Sequence, residues 1–155
     1  MKYKPYAPHK ASFFNINANA LCMAVYLLTA LGGVVFYTQY VVFVLPLAVF
    51  FLEKDSFFIR FHALQTTLLA LFHLVIQILL RIASGVITGV IARGQYDQDT
   101  LTLIIQGTSF LGAALVLAVF IFSLLALRGA SNYQEYRIPL FGRLAKKYTT
   151  ITTHK

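Results

Sequence analysis

Three long stretches of this chain are almost free of charged side chains, and they hold more apolar sequence than a soluble domain of this size can bury. No Asp, Glu, Lys or Arg occurs from Phe13 to Leu52 or from Thr100 to Leu127, and Arg81 is the only one from Phe61 to Ala92. A helix needs about 20 apolar residues to cross the roughly 30 Å hydrocarbon core of a bilayer. The sequence therefore predicts an integral membrane protein built from helices.

The composition excludes several other classes of protein. Of the 155 residues, 59% are hydrophobic and 12% are charged, and soluble domains carry about twice that charged fraction. The net charge of +8 would suit a nucleic-acid binder, but too few charges are present to cover a water-facing surface, so we expect no nucleic-acid partner. The apolar content excludes disorder, and the single Cys22 excludes a disulfide scaffold.

The first apolar run is too long for one crossing. As a single helix its 40 residues would extend about 60 Å, so we expect it to fold back, either at Gly32-Gly33 or at Tyr37–Tyr40, which is typical of an aromatic belt. The sequence leaves both turns open. We predict an all-α, polytopic four-transmembrane-helix bundle, with helices at 16–35, 38–52, 61–92 and 100–127. A basic tail (1–15) precedes this transmembrane domain (16–127), and a basic amphipathic tail (128–155) follows it.

The basic residues predict the orientation of the bundle. With four crossings, 11 of the 13 Lys and Arg residues fall on one side of the membrane, whereas three crossings would separate the two basic tails. Because positively charged loops stay in the cytoplasm, we predict a multi-pass protein of the cell inner membrane with both termini cytoplasmic. We expect the amphipathic C-terminal tail to bind the anionic lipids of that leaflet.

Polar side chains follow one face of the predicted third helix, and such a stripe should turn away from lipid. A matching stripe runs along the fourth helix. The two stripes comprise His62, Gln65, Thr66, His73, Gln77, Arg81, Ser84 and Thr88, and then Thr102, Gln106 and Ser109. They are either the hydrogen-bonded interior of the bundle or a hydrated groove for a polar or peptide substrate, and Arg81 could instead extend to the outer headgroups.

The residues do not favour catalysis or metal binding. His62 and His73 lie on one helix face but about 16 Å apart, too far to share a metal ion. A lone cysteine excludes dithiol chemistry, and no carboxylate lies inside the apolar runs. We therefore expect no enzyme activity, no metal and no cofactor.

Two short motifs resemble a known family. Glu53–Gln65 reads EKDSFFIRFHALQ, and Tyr136–Gly142 reads YRIPLFG. Both resemble the small bacterial relatives of the Tic-type import component of the chloroplast inner envelope. The resemblance implies a four-helix membrane protein akin to a translocation channel subunit. It marks as signature residues Arg60, His62, Gln65, Tyr136, Arg137, Pro139 and Gly142. We expect Arg60 to bind lipid phosphate, and His62 and Gln65 to tie their loop to the second motif.

The function that this resemblance implies is non-enzymatic. The chain would assist polypeptide translocation or membrane-protein assembly, within a homo-oligomer or with a protein partner in the membrane. Two alternatives stay open at this point. The chain could form a small-solute or ion channel or transporter as a homo-oligomer around the third-helix stripe, or it could be an accessory subunit of a larger transporter.

Overall fold

Every regular element in the part of the chain that the structure describes is helical. The computed structural model describes residues 5–13, 15–35, 38–94 and 98–153. The elements are α1 (Ala18–Val34), a 3₁₀ turn (Thr38–Tyr40), α2 (Val44–Leu52), α3 (Phe57–Arg93), α4 (Gln98–Ser131) and α5 (Phe141–Thr153). The predicted all-α class is confirmed.

Two of these helices, rather than the predicted four, are long and apolar enough to span a membrane. They cover Phe57–Ile91 within α3 and Asp99–Ser131 within α4. The first apolar run divides into α1, with 17 residues, and α2, with only 9. Length and composition therefore agree with the prediction of spanning helices for α3 and α4 but not for α1 and α2, because α1 ends at Val34 and α2 begins only at Val44.

The reversal between α1 and α2 lies after the glycine pair. α1 continues through Gly32 and Gly33 to Val34, so the first predicted turn is wrong. The 3₁₀ turn Thr38–Tyr40 falls within the second predicted turn, of which Tyr37 lies outside the described residues. Gly32 lets the hairpin close, because a Cβ at this position would lie 2.6 Å from Cγ2 of Val42.

The hairpin of α1 and α2 packs along only the first part of the long helices. α1 contacts both α3 and α4, and α2 contacts α3. Tyr26 in the middle of α1 meets His62, and Gly33 near its end lies beside His73. α1 and α3 therefore run parallel, and the second half of α3 extends past the end of α1.

The remaining surface of α3 and α4 is a band of exposed large apolar side chains. The band runs from Phe72 to Val90 on α3 and from Leu103 to Leu125 on α4. At 1.5 Å per residue these segments are about 27 Å and about 33 Å long. That is the thickness of a bilayer's hydrocarbon core. The buried core of the molecule, which includes Tyr26, Phe58 and Ile138, lies beyond one end of this band.

Candidate functional site: a buried polar cluster and an open polar groove

The turn that starts α3 is organised by a buried carboxylate. Glu53 is 1% exposed, and its carboxylate accepts the backbone N–H groups of Ser12 (2.9 Å), Asp55 (3.1 Å) and Ser56 (3.0 Å). Burial alone would raise the pKa of Glu53, but these donors outweigh it and hold the pKa below its usual value. Ser56 then caps α3, because its hydroxyl accepts the N–H of Ile59 at 3.2 Å.

Three fully buried side chains form the polar cluster, which we define as Tyr26 of α1 together with His62 and Gln65 of α3. The Tyr26 hydroxyl donates to Nδ1 of His62 at 3.1 Å, and Nε2 of His62 lies 3.2 Å from the carbonyl oxygen of Gln134. This pattern is satisfied by a neutral ring with its proton on Nε2. All three side chains are 0% exposed, so these bonds replace the ones that water would make.

Gln65 joins the polar cluster to the segment that follows α4. Its amide nitrogen donates to the Tyr26 hydroxyl (2.8 Å) and to the Tyr136 carbonyl (3.0 Å), and its amide oxygen accepts the N–H of Ile138 (3.2 Å). The structure thus brings the two sequence motifs together through His62 and Gln65. Gly142 permits the approach, because a Cβ there would lie 2.7 Å from both the Arg137 Cα and the Gln65 Oε1.

A second buried carboxylate ties the N-terminal segment and α5 to the same end of the molecule. Glu135 accepts the Tyr6 hydroxyl and pairs with Arg137 (3.0 Å) and Lys146 (3.2 Å). Burial would raise the pKa of Glu135, but the Tyr6 hydroxyl and the two cations outweigh it and lower this pKa. The burial of Tyr6 and its hydrogen bond to Glu135 raise the pKa of Tyr6.

The end of α4 has a backbone conformation that needs outside support. Tyr133 has φ 54°, and its N–H and that of Gln134 bond the carbonyls of Ala130 and Gly129, as in a Schellman motif. A left-handed conformation costs a non-glycine residue about 1–2 kcal/mol. Tyr133 is held by its ring, which stacks on Phe58 at 5.6 Å, and by its hydroxyl, which donates to Asn19 at 3.0 Å.

The other signature residues are placed differently from His62 and Gln65. The guanidinium of Arg60 lies 5.0 Å from the centre of the Phe50 ring. Arg137 is paired with Glu135, and Tyr136 takes part through its backbone carbonyl. Pro139 is exposed at the turn before α5.

The stripe on α3 divides into a closed part and an open part. His62, Gln65, Thr66 and His73 are all buried, so this half is a hydrogen-bonded interior. Gln77, Arg81 and Ser84 face a cavity of about 540 Å³ between α3, α4 and the end of α1, whereas Thr88 lies outside its lining. We call this cavity the open groove and define it by its polar lining, which consists of Gln39, Gln77, Arg81, Ser84, Thr108 and Ser109.

Gln77 lies at the end of the open groove that is nearer the polar cluster. Gln77 donates to the Gly112 carbonyl at 3.3 Å and lies 3.3 Å from Nε2 of His73, which closes the groove toward the polar cluster. Of the fourth-helix stripe, Ser109 lines the groove, whereas Thr102 and Gln106 are exposed outside its lining.

Sequence reasoning missed three residues that organise these sites. Tyr40 accepts a hydrogen bond from Arg81, whose guanidinium lies 5.4 Å from the centre of the Tyr40 ring. Glu53 and Glu135 are buried hubs of contacts. The two glutamates could have been noticed in the sequence, because the chain has only 5 acidic residues. Among the described residues, no group of three or more His, Cys, Asp or Glu side chains could hold a metal ion.

Comparison with known proteins identifies a family other than the one that the motifs resembled. Residues 17–145 match the family described as the magnetosome magnetite crystal formation protein family, MamF/MmsF. No curated protein and no solved structure matches the chain. The resemblance to Tic-type proteins is therefore wrong, and so is the role in protein transport drawn from it. Nothing in the match favours the solute channel or the accessory subunit instead.

The matched residues include every feature described above except the N-terminal segment and most of α5. They begin at Asn17, directly before α1, and end at Ala145 in α5. Both motifs, Glu53–Gln65 and Tyr136–Gly142, lie inside this range, so they belong to the region that the family defines. The chain is a member of the magnetosome magnetite crystal formation protein family.

Proposed function

We propose that this chain is an integral protein of the magnetosome membrane that takes part in the formation of magnetite crystals. The observation that carries this proposal is the family match over residues 17–145. The match covers both helices that are long enough to span a membrane. It also covers the polar cluster, which connects the first turns of α3 to the segment after α4. The match therefore describes the folded body of the protein rather than one short motif.

The exposed apolar band supports a placement in the bilayer with two full crossings. α3 from Phe72 to Val90 and α4 from Leu103 to Leu125 would lie in the hydrocarbon core, because their lengths match its thickness of roughly 30 Å. Arg93 then lies beyond one end of the band. The hairpin of α1 and α2 enters from the opposite end and turns inside the bilayer, so both termini lie on one side.

The charges support an orientation with the polar cluster on the cytoplasmic side. Arg128 lies in the last turn of α4 at that level, and α5 adds the exposed Arg143 and Lys147. α5 also exposes Leu144 and Tyr148, at 39% and 54%. A helix with basic and apolar side chains on its free surface suits the headgroup region of an anionic leaflet.

The role that we assign to the protein is structural rather than enzymatic. The polar groups of His62 and Gln65 are engaged in bonds that hold α3, α1 and the segment after α4 in one arrangement. We therefore propose that the protein acts on crystal formation through its membrane-embedded body and the contacts it makes at the two membrane surfaces.

Deletion and complementation in the host that makes this chain test the proposal. We expect deletion to change the size, shape or number of magnetite crystals seen by electron microscopy, and wild-type protein to restore them. The Gln65→Met variant should restore them poorly, because it breaks the polar cluster, whereas Gln106→Met should restore them fully. Crystals that are unchanged by the deletion would show that the proposed function is wrong.

A further inference from the structure

The open groove places a positive charge in the middle of the proposed membrane span. Arg81 lies nine residues after Phe72 and nine before Val90, the two ends of the apolar band on α3, and so about 14 Å from each. A charged side chain at this depth is costly unless it is paired or lies in a water-filled cavity, and it marks a functional site by default. Arg81 lines a cavity of about 540 Å³, which has room for water.

The described residues that line the open groove include hydrogen-bonding groups and no carboxylate. Arg81 donates to the Tyr40 hydroxyl, which is neutral. The sequence contains no Asp or Glu between Ser56 and Tyr96, nor between Thr100 and Gln134. Asp99, on the same helix as Ser109, lies ten residues away from it, which is about 15 Å along the axis. The described lining therefore adds hydrogen-bonding groups around the guanidinium and no negative charge.

The remaining polar lining of the open groove includes two serine hydroxyls, from Ser84, one turn after Arg81, and from Ser109. The amide of Gln77 and the hydroxyl of Thr108 donate to backbone carbonyls instead. A guanidinium offers a planar pair of N–H donors that matches the geometry of an oxyanion, and it does so better than an ammonium. A cavity with room for water, one cation, two serine hydroxyls and no carboxylate in its described lining favours a negatively charged ligand.

We propose that the open groove is a binding site for a small oxyanion, such as inorganic phosphate, held by Arg81 and the Ser84 hydroxyl one turn further along α3. This inference rests on the membrane placement given under the proposed function. It concerns occupancy of a site about half-way across the bilayer. It does not require that the anion pass through the protein.

Thiol labelling of the purified, folded protein tests this inference directly. The only native cysteine, Cys22, is buried, so Cys22→Ala with Ser109→Cys places a single thiol in the groove. We expect an anionic methanethiosulfonate reagent to react faster with this thiol than a cationic one, by about tenfold, because a cleft of one charge concentrates counter-ions. Inorganic phosphate should slow the labelling. Thr102→Cys, on the same helix but outside the groove, is the control and should show neither effect.

Changes at Arg81 decide the outcome. Arg81→Gln should abolish the preference for the anionic reagent and the protection by phosphate. Arg81→Lys should keep the preference but weaken the protection, since it retains the charge without the paired donors. The inference is overturned if Ser109→Cys reacts with neither reagent, or if Arg81→Gln leaves preference and protection unchanged. Because the assay uses purified protein, its result is separate from the crystal phenotype that tests the proposed function.

Discussion

Replacing Gln65 by Met should detach the segment after α4 from α3 with little change in side-chain volume. The substitution removes the bonds at 3.0 Å and 3.2 Å that satisfy the Tyr136 carbonyl and the Ile138 N–H. Ile138 is 1% exposed, so water cannot easily replace these bonds. Each backbone group left unsatisfied costs about 1–3 kcal/mol. The expected loss is therefore about 2–6 kcal/mol of unfolding free energy, or roughly 4–24 °C in melting temperature at about 2–4 °C per kcal/mol.

The assay for this prediction is thermal unfolding of the detergent-solubilised protein, read together with amide hydrogen exchange. Exchange should increase most at Ile138–Gly142 and in α5, because these are the parts that Gln65 holds. Gln106→Met is the matched control, since it makes the same chemical change at an exposed position of α4. If Gln65→Met melts within about 1 °C of this control and α5 keeps its exchange protection, the structural role assigned to the polar cluster is wrong.

Three further predictions concern the same end of the molecule, and the first is paired with a glycine near the opposite end of α3. Gly142→Ala should lower the melting temperature, because a Cβ would lie 2.7 Å from the Arg137 Cα and such overpacking costs about 1–3 kcal/mol. By contrast, a Cβ at Gly89 meets nothing within 4 Å, so Gly89→Ala should raise the free energy of unfolding by up to about 1 kcal/mol. The pKa of Glu135 is lowered in the folded protein, so its stabilising contribution is present above the unfolded pKa of about 4.3 and is lost as the pH falls through the folded pKa. Melting temperatures measured from pH 7 to pH 3 should therefore fall less for Glu135→Gln than for wild type, and parallel curves would contradict this. Tyr133→Phe should cost about 0.5–1.5 kcal/mol by removing one hydrogen bond, whereas an unchanged melting temperature would show that ring stacking alone holds the left-handed backbone.

The sequence predicts the helical class and the two long spans because those properties depend on local composition. An apolar run of sufficient length forms a helix that can cross a bilayer wherever its neighbours lie. The same reasoning fails for α1 and α2, because their lengths depend on where the run turns. That turn depends on a contact across the hairpin, the close approach of Gly32 and Val42, and nothing in the local pattern reveals it.

The site could be predicted only where the contacts follow from spacing along one helix. His62, Gln65 and His73 share a face of α3 by helical periodicity, but their partners come from positions more than 30 residues away, such as Tyr26. The bonds of Gln65 to Tyr136 and Ile138 use backbone groups, which carry no signature in the sequence. The family could not be identified from the two motifs either, because each is short.

The length of α1 explains how one stripe on α3 serves two purposes. α1 lies parallel to α3 and ends at Val34, just past the position where Gly33 lies beside His73. Up to that level α1 covers the stripe, so its polar groups bond one another and hold the fold. Beyond it no part of α1 is left to cover the stripe, and Arg81 lines a cavity instead. One half of the stripe is therefore part of the hydrogen-bonded interior, and the other half lines the open groove. The end of α1 separates the two halves. Lengthening α1 by one turn should accordingly fill the groove and protect a cysteine at position 109 from both labelling reagents.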